Sequence, residues 1–322
     1  MTPTAAAMIR ALTRAARPWS LAAGLLLYAL GGGIARYLGN FIDWPVYFTG
    51  QAALTLLQLS GSFLREYFDR TTQPPFEQVV RRQTIKKPQP ADMPDGLETP
   101  EQPEVVEILV PRLIFFQAAA VTLTTAAVMV VLLVVENRMH PVAVLFLALA
   151  ILLVLLYAVP PFRLVYSGYG ELAQALLLAN LFPTLAFVFQ VGEVHRLLAM
   201  LTFPLTLLYL ATELARELRG YFADFKENRQ TMLVRLGWQR GMSLHNALIA
   251  AAFVALAVAV ISGLPWRLAY PAFLALPVGV FQIWQMNRIA AGSPPRWRVL
   301  DYTALASVGL MAYFMALALW IG

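Results

Sequence analysis

Two short polar segments of this chain carry acidic and basic residues at the ends of long apolar runs. One is RELRGYFADFKENRQTMLVRLG at 216–237, and the other is GSFLREYFDR at 61–70. The LREYFD stretch of the second is loosely echoed by LRGYFAD in the first. If both segments end helices on the same aqueous side, their carboxylates and guanidinium groups could share one charged ligand.

The amino-acid composition indicates whether water or lipid surrounds the helices that carry these segments. Hydrophobic residues make up 59% of the 322 residues, charged residues make up 13%, and the mean hydropathy is +0.65. A soluble domain of this length could not bury that much apolar surface. A hydrocarbon core of roughly 30 Å requires about 20 apolar residues per helix. Nine runs qualify, near 18–38, 43–64, 109–135, 141–159, 171–191, 198–215, 245–263, 268–287 and 301–321. We therefore predict an all-α polytopic membrane bundle of nine transmembrane helices, a single domain over 1–322.

The distribution of Lys and Arg predicts the orientation of the bundle. With a cytoplasmic N-terminus, 20 of the 24 Lys and Arg residues lie inside and four lie outside, at Arg36, Arg138, Arg196 and Arg267. A bias this large indicates that the N-terminus is cytoplasmic and the C-terminus is outside. We expect a prokaryotic inner or plasma membrane. The net charge of +6 then reflects topology and attraction to lipid headgroups, and nucleic acid is not an expected partner.

The long hydrophilic stretch at 70–107 is predicted to be a cytoplasmic loop that is rich in proline and in both signs of charge. It carries seven of the 21 prolines, so it cannot form a regular helix. Acidic residues recur in it at every third position, which we interpret as a solvated loop edge. Cysteine is absent from the chain, which excludes disulfides and thiolate metal sites.

Four segments resemble motifs of the UbiA superfamily of intramembrane prenyltransferases, in the same order along the chain. Arg17-Pro18-Trp19-Ser20-Leu21 resembles R-P-x-[ST]-L at the start of the first span. The stretch from Tyr157 to Leu172 resembles Y-S-x-P-P-x-R-L-K-y-r-G-x-G-E-L. The stretch from Asp224 to Gly237 resembles D-x-x-x-G-k-x-T-L-x-v-x-L-G, and Pro94-Asp95-Gly96-Leu97-Glu98-Thr99 resembles P-S-G-x-I-S. Together with nine spans, the resemblance covers nearly the whole chain.

The resemblance implies a UbiA-like bundle around a central cavity and a reaction inside the bilayer. A polyprenyl diphosphate would lose its diphosphate, and the allylic cation would alkylate a lipophilic, typically aromatic, acceptor such as a quinone-ring precursor. Such a site needs Mg²⁺ held by carboxylates, Arg or Lys donors for the diphosphate, an apolar tunnel for the tail, and a dry pocket with aromatic faces. The expected partners are these two substrates and the membrane lipids.

The carried-over residues depart from the family pattern in the acidic motifs. The positions of N-D-x-x-D-x-x-x-D read Arg65, Glu66, Asp69 and Gln73, and the first Asp of D-x-x-x-D falls on Gly220, with Glu217 one turn earlier. We expect Glu66, Asp69, Glu217 and Asp224 to be the metal ligands, and Asp69, Asp224 and Tyr157 to be the catalytic residues. The residues expected to bind the diphosphate are Arg17, Arg65, Arg163, Arg216, Arg219 and Lys226.

Arg65 leaves two functions open. It can act as a fixed cation beside the diphosphate, which favours prenyl transfer. It can instead neutralise Glu66 and Asp69, which favours a non-catalytic relative that binds a prenylated lipid, quinone or pigment, or a structural subunit with partner proteins in a membrane complex. We further interpret Tyr166 as an interfacial aromatic residue and Gly31-Gly32-Gly33 as a site of close helix packing.

Overall fold

The computed structural model describes residues 5–72, 111–136 and 139–322, with the side chains of all these except 70–72. The turn at 94–99, Gln73, Arg138 and most of the loop predicted at 70–107 lie outside the described residues. The described residues are helical, with one isolated bridge between Ser167 and Gln230. The all-α membrane bundle predicted from the sequence is confirmed.

The helices occupy the predicted apolar runs and add several short elements between them. In chain order they are α1 Ala5–Ala15, α2 Pro18–Tyr37, α3 Trp44–Thr72, α4 Arg112–Val135, α5 Pro141–Ala158, α6 Gly170–Ala175, a π-helix Leu176–Leu181, α7 Phe182–Val191, α8 Arg196–Glu217, α9 Tyr221–Lys226, α10 Met232–Leu236, α11 Trp238–Ile261, α12 Trp266–Phe273, α13 Leu276–Ala290 and α14 Trp297–Ile321. Two of the predicted spans are composite, one formed by α6, the π-helix and α7, and the other by α12 and α13.

Eight of these helical segments are long and apolar enough to cross a membrane, and α3 is the remaining predicted span. Its 29 residues exceed the length needed, but Gln51, Gln58 and neighbouring small residues lower its hydropathy. Contacts of α3 with α2 show that it runs antiparallel to that helix. Tyr47, near the start of α3, packs on Gly32, and Gln58 packs on Gly24, earlier in α2. Helix α3 therefore lies within the bundle as the sequence predicted.

The centre of the bundle is formed by α8 and the composite helix α6–π–α7. In each, 78% of the residues in an apolar 18-residue stretch are buried inside the protein, whereas in α4 the buried share of such a stretch is 17%. Helix α4 exposes valines such as Val121, Val128 and Val135, which suits contact with lipid tails. Polar groups on the central helices are consequently the ones that the bundle shields from lipid.

The three glycines of α2 allow neighbouring helices to approach closely, as predicted. A Cβ on Gly31 would lie 2.0 Å from the backbone oxygen of Pro183 in α7. Gly32 meets the ring of Tyr47, and Gly33 meets Trp320 of α14. This stripe of small residues holds α2 against three other helices.

The π-helix lies immediately before Pro183 and widens the central helix. Proline has no N–H for the helical ladder, and the extra residue of a π-turn accommodates its ring. The Thr184 hydroxyl donates to the Asn180 carbonyl at 2.7 Å, and the Asn180 amide donates to Thr202 of α8 at 3.2 Å. The widened turn presents Leu177 and Leu178 in succession to the same cavity.

Candidate functional site

The site lies at one end of the bundle, where several helices begin or end. Arg17 precedes α2, Asp69 lies in the last turn of α3, and Glu217 ends α8. Arg163 follows α5, and Glu171 stands in the first turn of α6. These helix ends bring together residues from five separate parts of the chain.

Asp69 is held by cationic and hydroxyl donors. Its carboxylate forms an ion pair with the Arg163 guanidinium, and the Tyr166 hydroxyl donates to it at 2.6 Å. Arg65, one turn earlier on α3, places Nε at 3.8 Å from the second oxygen. Only 14% of the Asp69 side chain is exposed, so the carboxylate is neutralised by its neighbours rather than by water.

Tyr166 lies among three guanidinium groups. The Cζ atoms of Arg163, Arg229 and Arg65 lie 4.9, 5.2 and 5.8 Å from its ring centroid. The pKa of Tyr166 is raised to about 12, mainly by burial, with Arg65 and Arg229 acting to lower it and Asp69 to raise it. The hydroxyl therefore remains a proton donor at neutral pH. Tyr166, which we expected at the membrane interface, is instead part of this cationic cluster.

Tyr157, at the end of α5, receives hydrogen bonds from three side chains. Arg17 Nη1 donates to its hydroxyl oxygen at 3.2 Å, Arg65 Nη1 at 3.0 Å and Gln174 Nε2 at 2.9 Å. The Tyr157 side chain is buried. It connects α2, α3 and α6 at the base of the site.

Glutamates line the side of the site formed by α6 and α8. Glu213 accepts a hydrogen bond from Arg216 at 3.3 Å and lies 4.0 Å from Arg17. Glu171 accepts from the backbone N–H of Met232 at 2.9 Å, which ties α10 to α6. Its other oxygen, Oε2, is buried without a hydrogen-bond partner, as is Oε2 of Glu217. Glu171 and Glu217 both line the polar chamber described below.

Three non-glycine residues of the described chain have left-handed backbone conformations, and all three adjoin this site. They are Arg17 at φ 51°, Arg163 at φ 36° and Asn228 at φ 55°, next to Arg229. Such conformations are costly for residues with a Cβ and persist where the surrounding structure imposes them. Their positions support a functional constraint on the three arginines.

Two adjoining cavities open between these side chains. The polar chamber, about 200 Å³ including its open part, is lined by Arg17, Arg65, Tyr157, Val165, Gly170, Glu171, Gln174, Glu213 and Glu217. The inner cavity, about 380 Å³ on the same measure, is lined by Ser20, Gln58, Gly61, Ser62, Leu153, Tyr157, Ala173, Gln174, Leu177 and Leu178. Tyr157 and Gln174 belong to both, so a charged compartment adjoins a largely apolar one.

Most of the residues predicted from the motifs come together here, and some do not. Arg17, Arg65, Asp69, Tyr157, Arg163 and Glu217 meet directly, Arg216 joins through Glu213, and Asp224 joins through Arg229 at 3.8 Å. Arg219 and Lys226 are exposed, and Glu66 is half-buried on α3 and lines neither cavity. The four acids predicted as metal ligands do not converge, since the described residues contain no group of three or more such side chains that could hold a metal ion.

Several residues of the site could not be assigned from the sequence. Glu171 stands inside the matched G-Y-G-E segment, and Glu213 lies one helical turn before Glu217, on the same face. Gln174 follows Glu171 by three residues, and Arg229 follows Asp224 by five. These spacings are available in the sequence, but none is specific enough to identify a site without the packing around it.

Comparisons with known proteins agree with this geometry. No family model matches the chain. The chain is 25% identical over 169 residues, 49% of its length, to the 1,4-dihydroxy-2-naphthoate octaprenyltransferase of Bacillus subtilis (strain 168), and it spans about half (54%) of that curated relative. It resembles the solved structure of a UbiA homolog from Archaeoglobus fulgidus bound to GPP and Mg²⁺, with a TM-score of 0.64 and 16% identity over 96% of this chain and 99% of that one.

A second structural relative is a digeranylgeranylglyceryl phosphate synthase. The TM-score is 0.55 at 16% identity, over 94% of this chain and 98% of that one. At such low identities these structures establish the fold. The chain thus shares its fold with UbiA homologs over nearly its whole length, and its sequence is similar to that of the octaprenyltransferase over about half of it.

Proposed function

We propose that this protein transfers a prenyl group from a polyprenyl diphosphate to a lipophilic, aromatic acceptor within the membrane. The observation that carries this proposal is the junction of the two cavities at Tyr157. Charged groups that suit a diphosphate lie on one side of it, and a largely apolar space that suits an isoprenoid and its acceptor lies on the other. The relatives named above support prenyl transfer as the reaction class.

The guanidinium groups are the expected diphosphate ligands. Arg17 and Arg65 line the chamber, while Arg163 and Arg229 surround Tyr166 beside it. Their side chains are 15 to 30% exposed, so their charge is only partly screened by solvent. A partly desolvated cluster of planar donors stabilises the negative charge that develops on a departing diphosphate.

Glu171 and Glu217 fit a magnesium ion better than the aspartates do. Each has a buried Oε2 without a partner, whereas Asp69 and Asp224 are paired with Arg163 and Arg229. Mg²⁺ is commonly held by one or two carboxylates and by substrate phosphates. When bound, Mg²⁺ would supply positive charge that stabilises the leaving diphosphate. We therefore place its ligands at Glu217 and Glu171.

The proposed reaction exchanges one bond for another. The C–O bond between the allylic carbon and the diphosphate breaks, and its electron pair leaves with the diphosphate. An acceptor ring carbon donates an electron pair to the allylic carbon, a C–C bond forms, and the ring then loses a proton. Tyr157 lies where the two compartments meet, so its ring face can stabilise the allylic cation while Arg17 and Arg65 hold the hydroxyl in place.

The direct test uses purified protein in lipid nanodiscs with geranylgeranyl diphosphate. Diphosphate release should require both Mg²⁺ and a naphthoquinol acceptor, and Tyr157→Leu should reduce it strongly. Tyr37→Leu is the control, since Tyr37 ends α2 at the opposite end of that helix from Arg17. If the wild-type protein releases no diphosphate with any acceptor in a panel of quinols and phenols, the proposed prenyltransferase activity is contradicted.

A non-catalytic function is the second candidate, favoured by one observation. Asp69 and Asp224 each already pair with an arginine, so the two motif aspartates are neutralised without a metal. Such a protein would bind a prenylated lipid, quinone or pigment, or serve as a subunit of a membrane complex. Titration with an unreactive diphosphate analogue across Mg²⁺ concentrations separates the candidates, because only the enzyme should bind the analogue in a Mg²⁺-dependent way.

A further inference from the structure

Gln58 of α3 is a buried amide whose polar atoms have no partner in the protein. Its side chain is 6% exposed, and neither Nε2 nor Oε1 makes a hydrogen bond. Gln282 of α13 provides the contrast. It is fully buried, but its Nε2 donates to the Leu300 carbonyl at 3.4 Å and its Oε1 accepts from Thr303. A buried amide normally has partners, so Gln58 requires an explanation that Gln282 does not.

Gln58 lines the inner cavity, where two neighbouring polar side chains, Ser20 and Gln174, already have partners. Ser20 donates to the Arg17 carbonyl at 2.8 Å, and Gln174 donates to the Tyr157 hydroxyl at 2.9 Å. The lining residues carry no ionised side chain. The Gln58 amide, whose Oε1 packs on Gly24 of α2, thus borders a cavity that is lined by uncharged side chains.

The position of Gln58 on α3 relates it to the diphosphate ligands. It precedes Arg65 by seven residues, which is two helical turns on the same face and about 10.5 Å along the axis. Tyr157 and Gln174 separate the inner cavity from the chamber that Arg65 lines. A group bound to Gln58 would therefore lie on the far side of Tyr157 from the diphosphate, where the proposed reaction needs its acceptor.

We propose that Gln58 binds a neutral, oxygen-bearing head of the acceptor, a ring carbonyl or hydroxyl. An amide offers both a donor and an acceptor, so it can pair with either group. A carboxylate head would enter a cavity without a cation to balance it, at a large desolvation cost. This inference rests on the proposed function and specifies the substrate class of that site.

The test compares two probes that differ only in their oxygens, 1,4-naphthoquinone and naphthalene, by calorimetric titration of detergent-solubilised protein. Wild type should prefer the quinone by about tenfold, the effect of one or two ordinary hydrogen bonds. Gln58→Leu should reduce that preference to about twofold or less, without lowering the Tm, because no hydrogen bond within the protein is lost. Gln282→Leu should lower the Tm and keep the preference.

Three outcomes would overturn the inference. One is an unchanged preference for the quinone in Gln58→Leu, as expected if the amide only bridges to a trapped water. Another is equal binding of the two probes by wild type. The third is tighter binding of 1,4-dihydroxy-2-naphthoate than of 1,4-dihydroxynaphthalene, which would indicate a carboxylate head. Binding of a diphosphate analogue by wild type is measured in parallel, since its absence would instead contradict the proposed function.

Discussion

Arg65 and Tyr157, 92 positions apart, are joined by a hydrogen bond of 3.0 Å from Nη1 to the hydroxyl oxygen. The same guanidinium lies 3.8 Å from Asp69. In the segment that resembles the family motif, Arg65 stands where that motif has asparagine. In this fold it lines the chamber and contacts Tyr157 and Asp69. It is therefore positioned both to bind a diphosphate and to balance Asp69.

Replacing Arg65 distinguishes these two effects. Arg65→Gln should weaken binding of an unreactive diphosphate analogue by about 10- to 100-fold, because a hydrogen bond to a charged group contributes about 1.5–3 kcal/mol. Arg65→Asn should also make binding depend more steeply on Mg²⁺. Arg36→Gln is the control, since Arg36 stacks on Trp320 at the other end of α2. Equal affinity in wild type and both Arg65 variants would indicate that Arg65 only neutralises Asp69.

Replacing Glu171 and Glu217, each of which has one buried oxygen without a partner, should weaken metal binding at the site. Glu171→Gln and Glu217→Gln should each lower the affinity for Mn²⁺, measured by electron paramagnetic resonance in the presence of the diphosphate analogue, by tenfold or more. The exposed Glu193 provides the control substitution, Glu193→Gln. Retained Mn²⁺ affinity in both site variants would indicate that the metal ligands lie elsewhere.

Asp224 should act together with Arg229. Their side chains lie 3.8 Å apart, and Arg229 extends over the Tyr166 ring. Asp224→Ala should abolish diphosphate release, and Arg229→Gln should reduce it in the same assay. Lys226→Gln, on an exposed residue nearby, should leave turnover within about twofold, the size of effect typical of exposed charges. Undiminished turnover in Asp224→Ala would remove this residue from the site.

The glycine stripe of α2 gives a prediction about stability. Gly31→Ala should lower the free energy of unfolding by about 1–3 kcal/mol, because the added Cβ would lie 2.0 Å from the Pro183 backbone oxygen. Gly309→Ala in α14 is the matched control, since its nearest neighbour is an ordinary contact at 3.7 Å. Thermal unfolding in one detergent compares the two. Similar Tm values for both variants would contradict the packing of α2 against α7.

Orientation in the membrane remains a prediction from the distribution of charge. Reporter fusions at Gly322 and within 80–100 should give opposite signals, with the C-terminus outside and the loop in the cytoplasm. The aromatic cluster of Trp44, Phe48 and Trp320 lies at the end of the bundle away from the site, as suits a membrane interface. Signals on the same side would rule out nine spans.

The membrane-spanning helices could be predicted from the sequence because each apolar run is long enough to form a helix on its own. The sequence also singled out Arg17, Tyr157 and Arg163, because they fall in segments that resemble family motifs, and the fold brings them to one end of the bundle. The burial of Glu213 could not be predicted in this way. It lies inside an apolar run, and only the packing of α8 against α2 brings it to Arg17.

Arg229 illustrates a second limit of prediction from sequence. Continuing the helix beyond Asp224 would give Arg229 a position unrelated to Tyr166. The chain instead turns at Asn228, with φ 55°, and so places the guanidinium over that ring. A left-handed residue other than glycine depends on tertiary contacts that local propensity does not include.

The three hydrogen bonds to Tyr157 have a consequence for what the chamber admits. A hydroxyl oxygen has two lone pairs, so Arg17, Arg65 and Gln174 cannot all be fully satisfied by it at once. An entering oxyanion can accept the surplus N–H without displacing any acceptor that the protein needs. The cost of rearranging the protein on binding is correspondingly small. A neutral ligand gains less from the same donors, so the chamber discriminates between ligands by their charge.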